Sequence, residues 1–112
     1  MSTTTTDDEL FLMVNVRGRS SGLPMNVWIG PRGHARHAAR IKVQMDHSEQ
    51  FDIDQLAVVG IEDDPPQVME GRLSAADLAA VRRFIALNKA AILDQWHERT
   101  DGIELSRALR SL

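Results

Sequence analysis

The most regular hydrophobic pattern in this chain lies in residues 73–112, and it predicts a long helix followed by a short one. The apolar residues of the first part recur at steps of three and four, which places them on one side of a helix. They are Leu78, Val81, Phe84, Ile85, Ile92 and Trp96. No Gly or Pro interrupts this stretch, so its intrinsic helix propensity is high. Such a helix must bury its apolar side against another layer of structure.

Capping residues predict where the two helices begin. Ser74 followed by Asp77 is expected to cap the long helix. Asp101 followed by Glu104 has the spacing of a capping box for the short helix. If the long helix continued to Gly102, it would measure about 38 Å at about 1.5 Å per residue. A helix of that length must either cross a whole sheet or kink.

Two residues of the long helix are predicted to have structural roles. Asn88 lies within the apolar stripe, where an unpaired amide would cost about 1–3 kcal/mol. We therefore expect Asn88 to be buried and hydrogen-bonded to the backbone of the sheet. Trp96 is predicted to pack in the core, with its indole N–H bonded to an acceptor.

Strands are predicted in the first two thirds of the chain. Residues 39–45 alternate between apolar and polar side chains, which is typical of a strand with one buried face. Further stretches are short, apolar and bounded by turn residues. They are residues 10–16, 23–29, 56–61 and 67–69. Strands followed by helices indicate an α+β fold, in which an antiparallel sheet of about 4–5 strands carries the long helix and is followed by a short terminal helix.

The chain is predicted to form one domain over residues 10–112, because 112 residues suit a single domain and no linker divides them. Residues 1–9 contain a run of threonines and are expected to be a disordered tail. The chain has no cysteine, and no apolar run approaches the length of a membrane span. The N-terminus does not resemble a signal peptide. These features predict a cytoplasmic protein with no membrane partner and no cofactor.

Charge is segregated along the chain more sharply than the net charge of −3 indicates. Residues 46–70 carry eight acids and no base, whereas residues 11–45 carry six bases and no acid. The six bases, called the basic block below, are Arg17, Arg19, Arg32, Arg36, Arg40 and Lys42. Such segregation is a stronger signal of function than the net charge.

Two interpretations of the basic block compete. It can bind nucleic acid, because phosphate contacts need little more than a basic face. Alternatively, Arg40 and Lys42 form ion pairs across the sheet, each worth about 0.2–1 kcal/mol. Their expected partners are Asp52 or Asp54. The acidic net charge and the small number of aromatic residues, two Trp and three Phe, favour the ion pairs.

The acidic turn at Glu62, Asp63 and Asp64 also has two interpretations. It is either a solvated turn or a surface that faces a basic partner or a cation. The alternating oxygen ligands and glycine of a calcium loop are absent from it. The sequence therefore favours the solvated turn.

Three histidines are candidate metal ligands, because imidazole binds zinc and similar ions. They are His34, His37 and His47. The chain carries no HExxH motif and no cysteine pair to complete such a site. Solvated histidines are therefore the favoured interpretation, and a metal site stays the alternative.

The helical third resembles a known group of proteins. Residues 84–88 read Phe-Ile-Ala-Leu-Asn, residues 92–96 read Ile-Leu-Asp-Gln-Trp, and residues 101–105 read Asp-Gly-Ile-Glu-Leu. This combination is similar to the C-terminal half of a family of small bacterial and phage proteins of unknown function, some encoded beside toxin–antitoxin genes. The family's His- and Pro-rich signature is replaced here by Gly-His-Ala-Arg-His at residues 33–37. The resemblance implies a compact α+β domain and no established activity.

The sequence favours a non-enzymatic interaction or regulatory protein that binds another macromolecule, in a toxin–antitoxin or phage–host setting. The reasons are the opposed charge blocks, the lack of a catalytic motif and the resemblance. A protein partner is expected. A homodimer can also form, because an open sheet of short strands leaves an edge strand that a second copy can pair with. Two alternatives stay open. One is a nucleic-acid-binding module using the basic block, and the other is a small metal-dependent enzyme centred on His34 and His37.

Overall fold

The computed structural model describes residues 13–33 and 35–112, which form a five-stranded antiparallel sheet covered on one face by helices. The strands are β1 (Val14–Val16), β2 (Val27–Ile29), β3 (Arg40–Gln44), β4 (Leu56–Gly60) and β5 (Gln67–Glu70). The helices are α1 (Gly18–Ser21), α2 (Ala75–Trp96) and α3 (Gly102–Ala108), and a 3-10 turn spans Ile53–Gln55. The predicted α+β class is confirmed. The predicted tail at residues 1–9 and the first part of the predicted strand at residues 10–16 lie outside the described residues.

The strands lie in the sheet in their chain order, and all neighbours are antiparallel. β3 is the central strand, in which Ile41 and Val43 belong to the core cluster shared with α2. Because side chains alternate across the pleat, Lys42 and Gln44 point to the opposite face. The alternation predicted for residues 39–45 is confirmed, but the prediction of one buried face is wrong, because Lys42 is 7% exposed and Gln44 is 0% exposed.

Helix α2 crosses the sheet and buries the predicted stripe. Val81, Phe84, Ile85 and Ile92 are at most 1% exposed. Each such side chain contributes about 1.5–3 kcal/mol when it leaves water. Trp96 is 7% exposed and belongs to the same core cluster.

Both helices begin at the predicted caps, but α2 ends earlier than predicted. The Ser74 hydroxyl accepts the Asp77 N–H at 3.1 Å, and the capping box at the start of α3 is complete. The long helix ends at Trp96 rather than at Gly102, since Glu98 adopts a left-handed φ of 59°. At about 1.5 Å per residue the helix is about 33 Å long.

Two segments before β3 differ from the prediction. Residues 17–22, predicted as a loop, contain the single helical turn α1, which ends at Gly22 with a φ of 81°. The predicted strand at residues 23–29 enters the sheet only from Val27. The preceding Asn26 still accepts the Gln44 N–H with its carbonyl oxygen at 2.9 Å, and its side chain binds the Gly18 N–H and the carbonyl oxygens of Ser48 and Glu49.

Helix α3 packs beside α2 over the β1 edge of the sheet. Leu105 is fully buried in the shared core, and the Gly102 position lies close to Val14 of β1, where an added Cβ would be 3.2 Å from Cγ2. The other predicted apolar residues of this helix are not fully covered. Ile103 is 65% exposed and Leu112 is 43% exposed.

Candidate binding cleft

Asn26 fixes the position of α1 at the β1 end of the sheet. Asn26 is 1% exposed, and its Oδ1 accepts the Gly18 N–H at 3.1 Å. Its Nδ2 donates to the carbonyl oxygens of Ser48 and Glu49 at 3.2 and 3.1 Å. The start of α1 approaches the chain closely, because a Cβ on Gly18 would lie 2.6 Å from the Leu23 carbonyl oxygen. Asn26 therefore joins α1 to the loop that follows β3.

A second buried amide, Gln44, organises that loop, residues 45–52. Gln44 is 0% exposed, and both ends of its amide are fully used. Its Nε2 donates to the Asp46 carboxylate and to the carbonyl oxygens of Ser48 and Gln50, and its Oε1 accepts from Asp52 N–H and from Asn26 Nδ2. Since buried polar groups must be hydrogen-bonded, the two amides replace the water that this loop would otherwise need.

The loop presents Phe51 and Glu49 to the two arginines beside α1. The Arg17 guanidinium lies 4.7 Å from the Phe51 ring centroid and donates to the Glu49 carbonyl oxygen. Phe51 in turn contacts Trp28 edge-on, with ring centroids 5.4 Å apart. Arg19 lies 3.8 Å from the Glu49 carboxylate, and both side chains are largely exposed. Arg17 is thus held in place, whereas the Arg19 ion pair contributes little stability.

Residues 109–112 form the opposite side of the same region, and Asn88 holds them. Asn88 is 3% exposed, its Oδ1 accepts the Arg110 N–H at 2.6 Å, and its Nδ2 donates to the Arg110 carbonyl oxygen at 2.9 Å. The Leu112 N–H donates to the Ser21 carbonyl oxygen at 2.8 Å. Asn88 is buried and paired as predicted, but its partner is this segment rather than the sheet, because α3 returns the chain across α2.

A cleft of about 470 Å³, called the arginine cleft below, lies between α1 and residues 109–112. Three arginines line it: Arg17, Arg19 and Arg110. Four serines add hydroxyl groups: Ser20, Ser21, Ser106 and Ser111. The cleft reaches Phe51 on one side of the sheet and Phe84 on the helix side, so it lies at the sheet edge. No acidic side chain among the described residues lines it.

The lining of the arginine cleft suits recognition of anions. A guanidinium carries several N–H donors in a planar fork that matches a carboxylate or a phosphate. Serine hydroxyls can donate further hydrogen bonds to the same oxygens. Catalysis by serine needs an adjacent base, and the described lining offers none. The arrangement can therefore bind an anionic group, and its own side chains supply no activated nucleophile.

The other members of the basic block lie elsewhere. Lys42 is on the sheet face away from α2 and is only 7% exposed. Arg40 is on the same strand, and its Nε is buried without a hydrogen-bond partner among the described residues. Arg32 lies at the end of α2, where its N–H donates to the Trp96 carbonyl oxygen at 2.8 Å. Arg36 is exposed in the same loop. The block is thus spread over several surfaces.

The predicted ion pairs across the ladder are not formed at the predicted positions. Arg40 and Lys42 lie opposite uncharged residues of β4, which are Gly60 and Val58. Asp52 and Asp54 precede that strand, where the Asp52 carboxylate caps the 3-10 turn by accepting the Asp54 N–H at 2.9 Å. Both acids thus lie before the first pair of this ladder, Gln44 with Leu56, and cannot face Arg40 or Lys42 across it.

The structure does not bring His37 and His47 together. The His37 ring packs against Trp96 at the end of α2, with centroids 5.5 Å apart. His47 Nε2 lies 2.9 Å from the carboxylate of Asp77, in the first turn of the same helix. His34 lies outside the described residues. Within the described ranges, no group of three His, Asp or Glu side chains is placed to hold a metal ion.

The acidic turn and the arginine cleft lie at opposite edges of the sheet. Glu62, Asp63 and Asp64 are exposed in the turn between β4 and β5. β5 is one edge strand and β1 is the other. The charge segregation seen in the sequence therefore becomes a separation in space, although only part of the basic block takes part in it.

Several residues that build the cleft were not singled out in the sequence. Asn26 is a polar residue inside the apolar stretch predicted as a strand, and this conflict was the available signal. Gln44 fitted the polar face of its predicted strand, so the pattern gave no signal for it. Arg110 was interpreted only as a cation near a helix end. Its distance in sequence from Arg17 and Arg19 concealed that the three share a surface.

In the described part of the chain, no helix is both long and apolar enough to cross a membrane. The chain matches no protein-family model, no curated protein and no solved structure. The resemblance of the helical third to the toxin–antitoxin-associated family therefore stays a prediction.

Proposed function

We propose that this protein is a non-enzymatic binding protein whose arginine cleft engages an acidic region of a partner protein. The observation that carries the proposal is the meeting of Arg17, Arg19 and Arg110 on one concave surface of about 470 Å³. Residues from distant parts of the chain supply these charges. Concave sites with a few convergent polar groups are the usual places where proteins bind ligands.

The cleft is preorganised, which favours a binding role. Arg17 is fixed by the Phe51 ring and by the Glu49 carbonyl oxygen, and Asn88 fixes the backbone that carries Arg110. Groups that are ordered before binding lose less conformational entropy when the partner arrives. A solvated and unstructured set of arginines would lack this advantage.

A nucleic acid is the main alternative partner, because its phosphates would also bind arginine. The rest of the basic block weighs against it, since Lys42 is nearly buried and Arg32 lies at the end of α2. The aromatic side chain nearest the arginines, Phe51, already contacts Trp28 and Arg17. Base stacking, which strengthens binding to single strands, would need a free aromatic ring.

A regulatory role beside toxin–antitoxin genes, or between phage and host, is the finer form of this proposal. Its support is the resemblance of the helical third, together with a surface suited to an acidic protein. The neighbouring genes in the source genome test it directly. A co-transcribed gene for a protein with an acidic surface segment is the expected finding.

Site-specific photo-crosslinking in the source organism tests the main proposal. A photoreactive amino acid at Ser20, in the cleft wall, should give an adduct that protease removes and nuclease does not. The same amino acid at the exposed Lys89 on α2 is the positional control. Arg19→Glu combined with Arg110→Glu should reduce the adduct several-fold, and Arg83→Glu on α2 should not. An adduct removed by nuclease alone, or none above the Lys89 control, would contradict the proposal.

A further inference from the structure

Building on the proposed function, we infer that the acidic partner binds as an extended peptide that adds a strand to the free edge of β1. The peptide would lie in the space between β1 and α3, called the β1–α3 groove below. Peptides commonly bind by strand addition, in which main-chain hydrogen bonds give affinity and side-chain pockets give specificity. Four features of the structure support this mode.

The first feature is the open edge of β1. Among the described residues, β1 pairs only with β2, and it stands at one end of the sheet. In an antiparallel sheet, successive residues direct their N–H and C=O groups to alternate sides. The residues Val14–Val16 therefore keep backbone groups that point away from β2 and can bind another strand.

The second feature is a second cavity beside the arginine cleft. It has a volume of about 670 Å³ and lies at Val14 of β1. Its other lining residues come from the start of α3: Asp101, Gly102, Ile103, Ser106 and Arg107. Ser106 lines both cavities, and β1 contributes Asn15 and Val16 to the arginine cleft, so the two cavities lie side by side along β1 and α3.

The third feature is an apolar contact beside a basic wall. Ile103 is 65% exposed and lines the groove together with Val14. Arg107 and Arg110 make no ion pair and no side-chain hydrogen bond with the other described residues. Glu104 and Asp101, the nearby acids, bind each other's backbone N–H groups in the capping box. Alternate residues of an added strand point to opposite faces of the sheet. Its apolar residues can thus contact Ile103 on the helix side, while its carboxylates point to the Phe51 side, where Arg17 lies.

The fourth feature is the difference in charge between the two edges of the sheet, which favours binding of an acidic peptide at β1. The opposite edge strand, β5, follows the exposed acids Glu62, Asp63 and Asp64, which would repel an acidic peptide. A second copy of this chain paired through β1 would bring two sets of arginines together, and like charges disfavour such a dimer. The charges at the two edges therefore favour binding of an acidic extended peptide at β1 rather than at β5.

A matched set of synthetic peptides tests the inference with the full chain. The probe is a fluorescent, end-blocked octapeptide of alternating Glu and Val, and binding is measured by fluorescence anisotropy. Two versions carry N-methyl groups, one on every Glu and one on every Val. Only one set of N–H groups can face β1, so we expect one version to lose about tenfold or more in affinity while the other binds like the parent.

Variants of the protein complete the test. Ile103→Ser and Arg110→Glu should each weaken binding of the parent peptide about tenfold, and Arg83→Glu should change its affinity less than twofold. Peptide binding should also slow amide hydrogen exchange in Val14–Val16. Equal effects of the two methylation patterns, or unchanged exchange in β1, would overturn strand addition. Arginine-dependent binding without those signatures would leave the proposed function standing.

Four further outcomes separate the two proposals. Failure of the peptide to bind, with a protease-sensitive Ser20 adduct still present, overturns strand addition alone. Failure of both overturns the proposed function as well. If an oligo-dT strand binds more tightly than the peptide, the partner is a nucleic acid and both proposals are overturned. If light scattering detects a dimer, and Arg110→Glu strengthens that dimer, a second copy of the chain occupies this edge and strand addition by a peptide is overturned.

Discussion

Replacing Gln44 by Met removes the amide that organises residues 45–52 while keeping the length of the side chain. The wild-type amide makes five hydrogen bonds, three through Nε2 and two through Oε1. Four of these reach the loop itself, and the fifth reaches Asn26. The substitution therefore leaves loop carbonyl oxygens and one N–H without their partner in a position that is 0% exposed.

The expected loss of stability follows from these bonds. The two N–H groups of Nε2 are shared among three acceptors, so the amide can make four full hydrogen bonds. A hydrogen bond contributes about 0.5–1.5 kcal/mol net, so four independent bonds would contribute about 2–6 kcal/mol. The loop carbonyls of Ser48 and Gln50 are only partly buried, and a shift of the loop would return them to water. We therefore expect a decrease of about 3 kcal/mol in the free energy of unfolding, toward the lower end of that range. This is a large part of the roughly 5–15 kcal/mol that stabilises a typical domain.

Urea denaturation followed by tryptophan fluorescence measures this effect, because Trp28 contacts Phe51 of the same loop. Gln55→Met is the matched control, since among the described residues its side chain makes no hydrogen bond, and it should cost less than about 0.5 kcal/mol. If Gln44→Met were as stable as the control, the amide would not be what holds the loop. The variant should also bind the acidic peptide more weakly, because Arg17 rests on Phe51 and on the Glu49 carbonyl oxygen.

Two further substitutions test other parts of the fold. Asn88→Ala removes both bonds to Arg110 and should lower the free energy of unfolding by about 2 kcal/mol, with faster amide hydrogen exchange at Arg110. Unchanged exchange at Arg110 would show that Asn88 does not hold this segment. Gly71→Ala should cost at least about 1–3 kcal/mol in thermal unfolding, because φ is 78° and the new Cβ would lie 2.9 Å from Ala57 Cα. Gly33→Ala, where φ is 55° and no other atom lies within 4 Å, is its control and should cost clearly less.

Local patterns were sufficient to predict the layers of this fold. The stripe through Phe84 and Ile85 and the alternation around Ile41 and Val43 each describe an element that buries one side. Such patterns need only the geometry of a helix or a strand. The caps at Ser74 and Asp101 are similarly local, so the starts of both helices could be located.

Features that depend on contacts between distant segments were predicted less well. The long helix stops at Trp96 because the following residues fold back, with Arg99 bound to Asp94 through both its backbone N–H and its side chain, each at 2.8 Å. The register between β3 and β4 depends on a 3-10 turn that no strand pattern reveals. Asn88 could be predicted to be buried, but its partner depends on the path of the chain after α3.

The arginine cleft was the least predictable feature, because its charges come from opposite ends of the described chain. Arg17 and Arg19 belong to the basic block, whereas Arg110 follows a helix in a mixed-charge segment. The count of charges along the sequence placed Arg17 and Lys42 in the same basic block, but Lys42 lies on another surface and is nearly buried. The bond from Leu112 N–H to the Ser21 carbonyl oxygen joins the two distant parts of the chain that line this site, and the bonds of Asn88 to Arg110 hold one of them in place.

The sequential order of the strands also bears on how quickly the molecule assembles. Every strand pairs with its neighbour in the chain, so each pairing closes only the connection between the two strands, which is 6 to 11 residues long. Such closure costs less entropy than pairing of distant segments. The contact of Leu112 with Ser21 is different, since it requires nearly the whole described chain to be in place. We therefore expect the sheet to form early and this seam to close last, so that a newly made chain acquires its cleft only as the final step of folding.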